Sequence, residues 1–309
     1  MHIQLKDVET PTPDAGQIQV RVRASALNRA DILQRRGRYP APPGWPAYIP
    51  GLEYSGEVSA LGAGVTRWRV GDSVMGLVGG GAHAELVVVH QDETLAVPPS
   101  MPLTDAAAIP EAFLTAWDAL VTRGRLAAGE RVLIHAVGSG VGTAAVQLAR
   151  RLGAISVGTS RTREKLERAA GLGLHEAIDS SSGGFREWLS APVNVILDVL
   201  GGPAFKENLE ALAPLGRLVM LGFLQGPKAE ITLEPILRKR LSVIGSVMRT
   251  RLLEERIPLV AGFSQQVLPW FVAGQIRPIV GATYPMTDIA AAHAEMERDE
   301  NFGKIVLVW

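Results

Sequence analysis

No cysteine occurs anywhere in the 309 residues, which excludes disulfides, thiol nucleophiles and the cysteine-bearing zinc sites of many oxidoreductases. Nor does either charge predominate: Lys plus Arg and Asp plus Glu number 31 each, so the basic footprint of a nucleic-acid or anionic-membrane partner is missing. No segment approaches the roughly 18 uninterrupted apolar residues of a membrane span. The opening MHIQLKDVETPTPD has acids and prolines where a signal peptide has a basic start and an apolar run. These absences imply a soluble cytoplasmic protein whose partner is a small molecule and whose chemistry does not come from a thiol.

What is present is enough chain for two domains, at roughly 150 residues each. Residues 1–110 read as β-rich, with short apolar runs at 18–22, 74–77 and 86–89 between Gly and Pro clusters. Pro40 to Gly51, PAPPGWPAYIPG, is too proline-rich for a helix or a central strand and reads as an ordered loop. From about Pro110 strands alternate with helices, the pattern of a parallel sheet covered on both faces. Expected strands are 131–136, 155–159, 193–199, 217–221 and 241–247, and expected helices 142–152, 162–170, 185–189 and 204–213. After about Arg249 come a helical stretch at 257–272, a helix near 288–298 and a closing strand at 304–308 that returns to the first domain. The fold class is α/β: a doubly wound parallel-sheet domain over 111–249, and a β-rich domain over 1–110 completed by 250–309.

The strand VLIHA runs into Val137-Gly138-Ser139-Gly140-Val141-Gly142 and then directly into a helix. Glycines there let the backbone turn tightly and approach a pyrophosphate, which the exposed amides of a helix N-terminus stabilise. Ser139 stands where the usual GxGxxG has its middle glycine. A tight turn that binds nothing is the bland alternative. An NAD-selective site places an acid at the end of the second strand, whereas this chain has Ser160-Arg161 there and Lys165 one turn on. A 2′-phosphate would meet that serine and those cations, so NADPH is favoured over NADH. The competing reading is a solvated helix start, although cations in a first turn oppose the macrodipole unless an anion offsets them.

Three strings together carry a family resemblance across nearly the whole chain: ASALNRADILQRRGRY from Ala24 to Tyr39, PGLEYSGEV from Pro50 to Val58, and IPEAFLTA from Ile109 to Ala116. They resemble the zinc-free zeta-crystallin-like quinone oxidoreductases of the medium-chain dehydrogenase/reductase superfamily, in particular the tumour-suppressor-inducible branch. The resemblance implies a GroES-like substrate domain built from both chain ends, an inserted Rossmann domain and a cleft for NADPH. Zinc-dependent relatives read Gly-His-Glu where this chain has Gly51-Leu52-Glu53, and leucine cannot ligate a metal, so no metal site is expected.

Carried over residue by residue, the resemblance places Asn28 and Thr115 at the nicotinamide end, and Gly140 and Val141 under the pyrophosphate; Ser139 in the same turn is a further cofactor-binding candidate. It places Ser160 and Lys165 at the 2′-phosphate, where the residues themselves also put Arg161, with Gly222, Phe223, Asn301 and Lys304 as further lining positions. Each has a plainer reading as a cap, a core residue or a solvated charge. Asn28 and Tyr39 are the catalytic candidates, Tyr39 to hydrogen-bond or protonate a quinone oxygen; a Tyr that merely packs in its loop is the alternative. Two features depart from the family pattern: Asp179-Ser180 replaces the usual Asn-Tyr pair, and Gln4 to Val8 stands at the usual second strand, leaving the first shortened or absent.

The activity these residues imply is hydride transfer from NADPH to a quinone without a metal. Its rivals are reduction of an enal, enone or enoyl-thioester double bond, and an NADPH-binding structural or redox-sensing protein with little turnover. The segment 241–247, LSVIGSV, is apolar on both faces, as an edge strand pairing with its copy in a homodimer would be.

Overall fold

The computed structural model describes residues 3–309, and the chain divides into two compact units. One comprises the residues up to Leu114 together with Met248–Trp309, the other Thr115–Val247.

Along the chain the first unit opens with β1 (Gln17–Ala26), α1 (Arg29–Arg35), β2 (Glu53–Leu61), β3 (Ser73–Leu77), β4 (Leu86–His90), β5 (Thr94–Ala96), α2 (Leu103–Ala106) and the first five residues of α3 (Pro110–Trp117), whose last three begin the second unit. The second unit holds β6 (Arg131–Ile134), α4 (Gly140–Arg151), β7 (Ile155–Ser160), α5 (Arg163–Ala170), β8 (Glu176–Asp179), β9 (Val193–Asp198), α6 (Gly202–Ala211), β10 (Leu212–Met220), α7 (Glu234–Lys239) and β11 (Ser242–Gly245). The chain then re-enters the first unit through α8 (Leu253–Gln266), α9 (Leu268–Val272), β12 (Val280–Pro285), α10 (Ile289–Glu297) and β13 (Lys304–Val308).

In the first unit seven strands form one sheet in the order β12-β13-β1-β2-β3-β5, with β4 also paired to β1. Strand β1 is shared along its length: Gln17 to Arg21 face β4, and Ala24 to Ala26 face Val308 to Val306 of β13. Alternation in β1 puts Ile18, Val20 and Val22 into a core with Tyr54, Val58, Val74 and Val87. The second unit has a six-stranded parallel sheet, β11-β10-β9-β6-β7-β8, whose inner strands β6, β7 and β9 are apolar because both faces are covered. Leu133, Val157, Ile196 and Leu218 anchor one side of it, beneath Leu209 and Ala211 of α6.

Some expectations need correction. Gln4–Val8 forms no strand, and Leu5 and Val8 are exposed, so the segment has no apolar face to dock. The helix expected over 185–189 is one 3₁₀ turn, Arg186–Trp188: a Gly183-Gly184 pair precedes it and the chain turns extended again at Leu189. The helical stretch after Arg249 is two helices, with Pro258 inside the first and Pro269 opening the second. After α3 the chain adds a π-helical turn, Asp118–Arg123, in which the buried Asp118 carboxylate accepts from Ser246 at 2.8 Å. Strand β11 lies at the sheet edge, with Val243 partly exposed.

Candidate functional site

In the first unit Asn28 is the residue before α1, yet its side chain makes no capping bond. Asp31 performs that task from within the helix, its Oδ2 accepting the Asn28 N–H at 2.7 Å. The Asn28 amide is thereby left to reach elsewhere: Oδ1 accepts from Lys304 Nζ at 2.6 Å, and Nδ2 donates to Glu53 Oε1 at 2.9 Å. Lys304 enters from β13, lies 2.6 Å from the same Glu53 oxygen and donates to Leu27 O at 2.7 Å. Glu53 Oε2 accepts the Glu111 N–H at 2.8 Å. Each buried ion costs several kcal/mol of desolvation, and such a pair persists where charge and hydrogen bonds are both compensated, as they are here.

A second buried network adjoins α1. Gly51 donates its N–H to Asp31 Oδ1 at 2.8 Å, and His83 Nε2 lies 3.7 Å from Oδ2. His83 Nδ1 is 2.8 Å from Ser25 Oγ. Burial raises the Asp31 carboxyl, but His83 and the two N–H donors outweigh it and hold Asp31 below the usual range. Gly51 has φ +100°, and a Cβ there would fall 2.4 Å from the His83 backbone nitrogen, so only glycine brings this N–H to the carboxylate. His293 on α10 is fully buried, and desolvation, reinforced by the charge of His83, depresses it to about 4.

The structure therefore joins Asn28 and Lys304 directly. Tyr39 lies half-buried in the loop after α1; burial raises its phenol, Arg249 opposing and Glu111 reinforcing the shift. Asn301 serves a local turn, its Nδ2 donating to Gly303 O at 2.8 Å just before β13.

In the second unit, β6 is followed directly by the buried His135, whose nitrogens meet Thr159 Oγ1 at 2.9 Å and Asn208 Oδ1 at 2.8 Å. Desolvation keeps this imidazole below its ordinary range despite the charge of Asp198. Ala136 then adopts a left-handed φ of +50°. Ser139 has an ordinary extended backbone, φ −71° and ψ 167°, so the middle position of the motif needs no glycine. Its hydroxyl accepts the Gly142 N–H at 3.0 Å and caps α4. Gly142 is required: a Cβ would sit 2.6 Å from the carbonyl oxygens of both Ala136 and Val137.

Gly140 and Val141, both partly exposed, form the first turn of α4. The stem of Lys165 on α5 packs over Gly138, where a Cβ would lie 2.9 Å from Lys165 Cδ. Ser160 closes β7 and accepts the Thr162 N–H at 3.1 Å, with Arg161 exposed beside it. Ser139, Gly140, Val141, Ser160, Arg161 and Lys165 thus gather at the ends of two adjacent strands. Gly222 and the exposed Phe223 follow β10, two places along the sheet, and Thr115 is a buried residue of α3.

Residues 14–99 match the alcohol dehydrogenase GroES-like domain, and residues 140–264 the zinc-binding dehydrogenase model. The human synaptic vesicle membrane protein VAT-1 homolog is 31% identical over 99% of this chain and 82% of its own length. The chain belongs to the medium-chain dehydrogenase/reductase superfamily. Members of known structure share both units, a GroES-like domain and a Rossmann domain. Escherichia coli quinone oxidoreductase complexed with NADPH has a TM-score of 0.88 at 27% identity, over 98% of this chain and 95% of that one. CurK enoyl reductase has a TM-score of 0.86 at 29% identity, over 98% and 94%.

The zinc in the name of one superfamily model does not fit the residues here. Leu52 is apolar and buried, and both Glu53 oxygens are occupied by protein donors. Among the described residues no three His, Cys, Asp or Glu side chains are grouped to hold an ion, and no helix is long and apolar enough to cross a membrane.

Sequence reasoning passed over several members of these networks. Glu53 appeared only inside a motif string, although a lone acid between Leu52 and Tyr54 at a strand start is a recognisable sign of a buried, paired charge. His83, His293 and Arg249 left no such signal.

Proposed function

We propose that the chain is an NADPH-dependent oxidoreductase that reduces quinones without a metal. The observation that carries this reading is the turn from β6 to α4: its serine cap, its close-packed Gly138 and Gly142, and the cations Arg161 and Lys165 just beyond the end of β7. Gly140 and Val141 would receive the pyrophosphate, and Ser160, Arg161 and Lys165 the 2′-phosphate. Asn28, Thr115, Gly222, Phe223, Asn301 and Lys304 would line the remaining length of the coenzyme.

Bound NADPH would supply a hydride, and this chain's residues would do the rest. The Asn28 amide is fixed from two sides by Glu53 and Lys304, so it presents one orientation rather than several. Tyr39, its phenol raised by burial, stays protonated at neutral pH and is suited to deliver a proton to a reduced acceptor. A quinone already accepts electrons readily, so positioning can supply much of the rate.

Reduction of an activated carbon–carbon double bond is the second reading. The likeness to CurK enoyl reductase and the protonated Tyr39 both favour it, since that chemistry needs a proton at carbon. The deciding assay follows NADPH oxidation against naphthoquinones, phenanthrenequinone, alkenals and enoyl thioesters. Turnover with the quinones alone supports the first reading, and turnover only with alkenals or enoyl thioesters replaces it by the second.

We also propose a cytoplasmic homodimer paired through the open edge of β11. Light scattering that gives a monomer at micromolar concentration removes that part.

A further inference from the structure

Arg249 is a buried cation in the first unit, 5% exposed, that the site as described does not use. Its guanidinium donates from Nε to Gly79 O at 2.7 Å, from Nη1 to Tyr39 O at 3.0 Å and from Nη2 to Gln34 Oε1 at 2.5 Å. The guanidinium carbon lies 4.9 Å from the centre of the Tyr39 ring. These three hydrogen-bond partners are neutral oxygens, so desolvating the cation here is costly. A hydrophobic side chain of similar volume would avoid that cost but leave Gly79 O, Tyr39 O and Gln34 Oε1 without this donor, so the cation is held here for what its hydrogen bonds fix in place.

The geometry supplies one. The planar guanidinium ties together the turn after α1, the glycine run at Gly79 and the segment leading into α8. A lysine has neither the fixed fork nor the flat face to hold the Tyr39 carbonyl and lie against its ring together.

We propose that Arg249 is a positioning residue for Tyr39, clamping its backbone and lying against its ring so that the phenol is held ready to deliver a proton to the reduced acceptor. The inference rests on the reading of Tyr39 as proton donor given above. In the step, the acceptor gains a hydride, carrying both electrons, and one proton from Tyr39 Oη. The phenolate left behind is reprotonated from water. Electrostatics point the same way: burial makes the phenol a weaker acid, Arg249 opposes this, and Glu111 reinforces it. Arg249 itself faces Tyr39, Asp31 and Glu111. Without the Arg249 charge the phenol becomes a poorer donor.

The test is a double-mutant cycle on the full chain with NADPH and whichever acceptor class it turns over: wild type, Tyr39→Phe, Arg249→Met and the double variant, with Arg249→Lys alongside. Tyr39→Phe is expected to lower kcat about 100-fold, the low end of general-acid effects. Arg249→Met is expected to lower it roughly tenfold, leave KM for NADPH within about twofold, and move the alkaline limb of the kcat profile to higher pH. In the Tyr39→Phe background the same substitution should add nothing.

An equal loss from Arg249→Met in both backgrounds, or an unmoved alkaline limb, overturns the proposal. If Arg249→Met does not fold, Arg249→Lys decides. It keeps the charge and loses the fork, so kcat should fall several-fold while the limb stays in place, and a change confined to KM refutes the role. Tyr39→Phe with unaltered turnover against every acceptor removes the proton-donor reading itself. That result differs from one in which Tyr39 matters and Arg249 acts independently of it.

Discussion

Replacing Lys304 by methionine removes a cation while nearly preserving the length of the side chain. In the folded protein Nζ meets Glu53 Oε1, Asn28 Oδ1 and Leu27 O within 2.7 Å, and the two charged side chains are 6% and 0% exposed. The variant leaves a fully buried carboxylate with only the Asn28 amide and the Glu111 N–H as donors. Removing one partner of a buried pair costs about 3–5 kcal/mol. With a urea slope of about 3 kcal/mol per molar, the midpoint should fall by roughly 1–1.7 M. Circular dichroism against urea at neutral pH, without coenzyme, measures this apart from any effect on binding. Glu53→Gln in the same background neutralises the stranded charge and should recover about 1–3 kcal/mol. A loss below about 1 kcal/mol from Lys304→Met, or a double variant no more stable than the single, refutes the claim that this pair is desolvated and mutually dependent.

Gly142→Ala should cost at least about 2 kcal/mol and abolish coenzyme uptake, because its Cβ meets two backbone carbonyls rather than a yielding side chain. Calorimetry that finds undiminished NADPH binding in a folded variant would disconnect the turn from the coenzyme. Arg161→Ala with Lys165→Ala should reduce the preference for NADPH over NADH about 10- to 100-fold, read as the ratio of kcat/KM values, with NADH turnover little changed. Two buried groups give opposite pH dependences. His293 is depressed from 6.5 to about 4, so its contribution to stability is present above 6.5 and lost as pH falls through 4. Burial raises Glu93 from 4.5 to about 7 against the pull of Arg256, so its contribution is full below 4.5 and lost as pH rises through 7. In urea midpoints across that range, His293→Leu should lessen the fall towards acid and Glu93→Gln the fall towards neutrality; parallel curves for wild type and variants would contradict both assignments.

Where one period governs a segment, the sequence was readable. All five strands expected in the Rossmann domain formed; β6, β7 and β9 did so because continuous apolar runs bounded by Gly and polar residues have no other stable use in a covered parallel sheet, while β11 pairs at the edge with no buried side chain. Strand β13 was legible because its apolar run could not stay exposed. Short elements with weak patterns escaped: β8 is four residues with one buried side chain, and α7 has none. At the site, the glycine turn was visible because its chemistry is local. Asn28 and Lys304 were named separately, and their meeting through Glu53 depends on strand register, which no spacing encodes. Arg249 was invisible for the same reason, since three segments far apart in sequence converge on it.

The hydrogen bond between Asn28 and Lys304 spans 276 residues. On a ribosome adding roughly 5–20 residues each second, the amide waits about 14–55 s for its ammonium. Through that interval the nascent chain carries Glu53 without its cation and one stretch of β1 without its β13 neighbour, while the intervening Rossmann unit emerges whole and can settle first. Strand β13, made after the Rossmann unit, is therefore the one that joins β12 to β1 in the first sheet, so a translational stall or premature stop before Lys304 should yield a chain whose middle is folded and whose beginning is not.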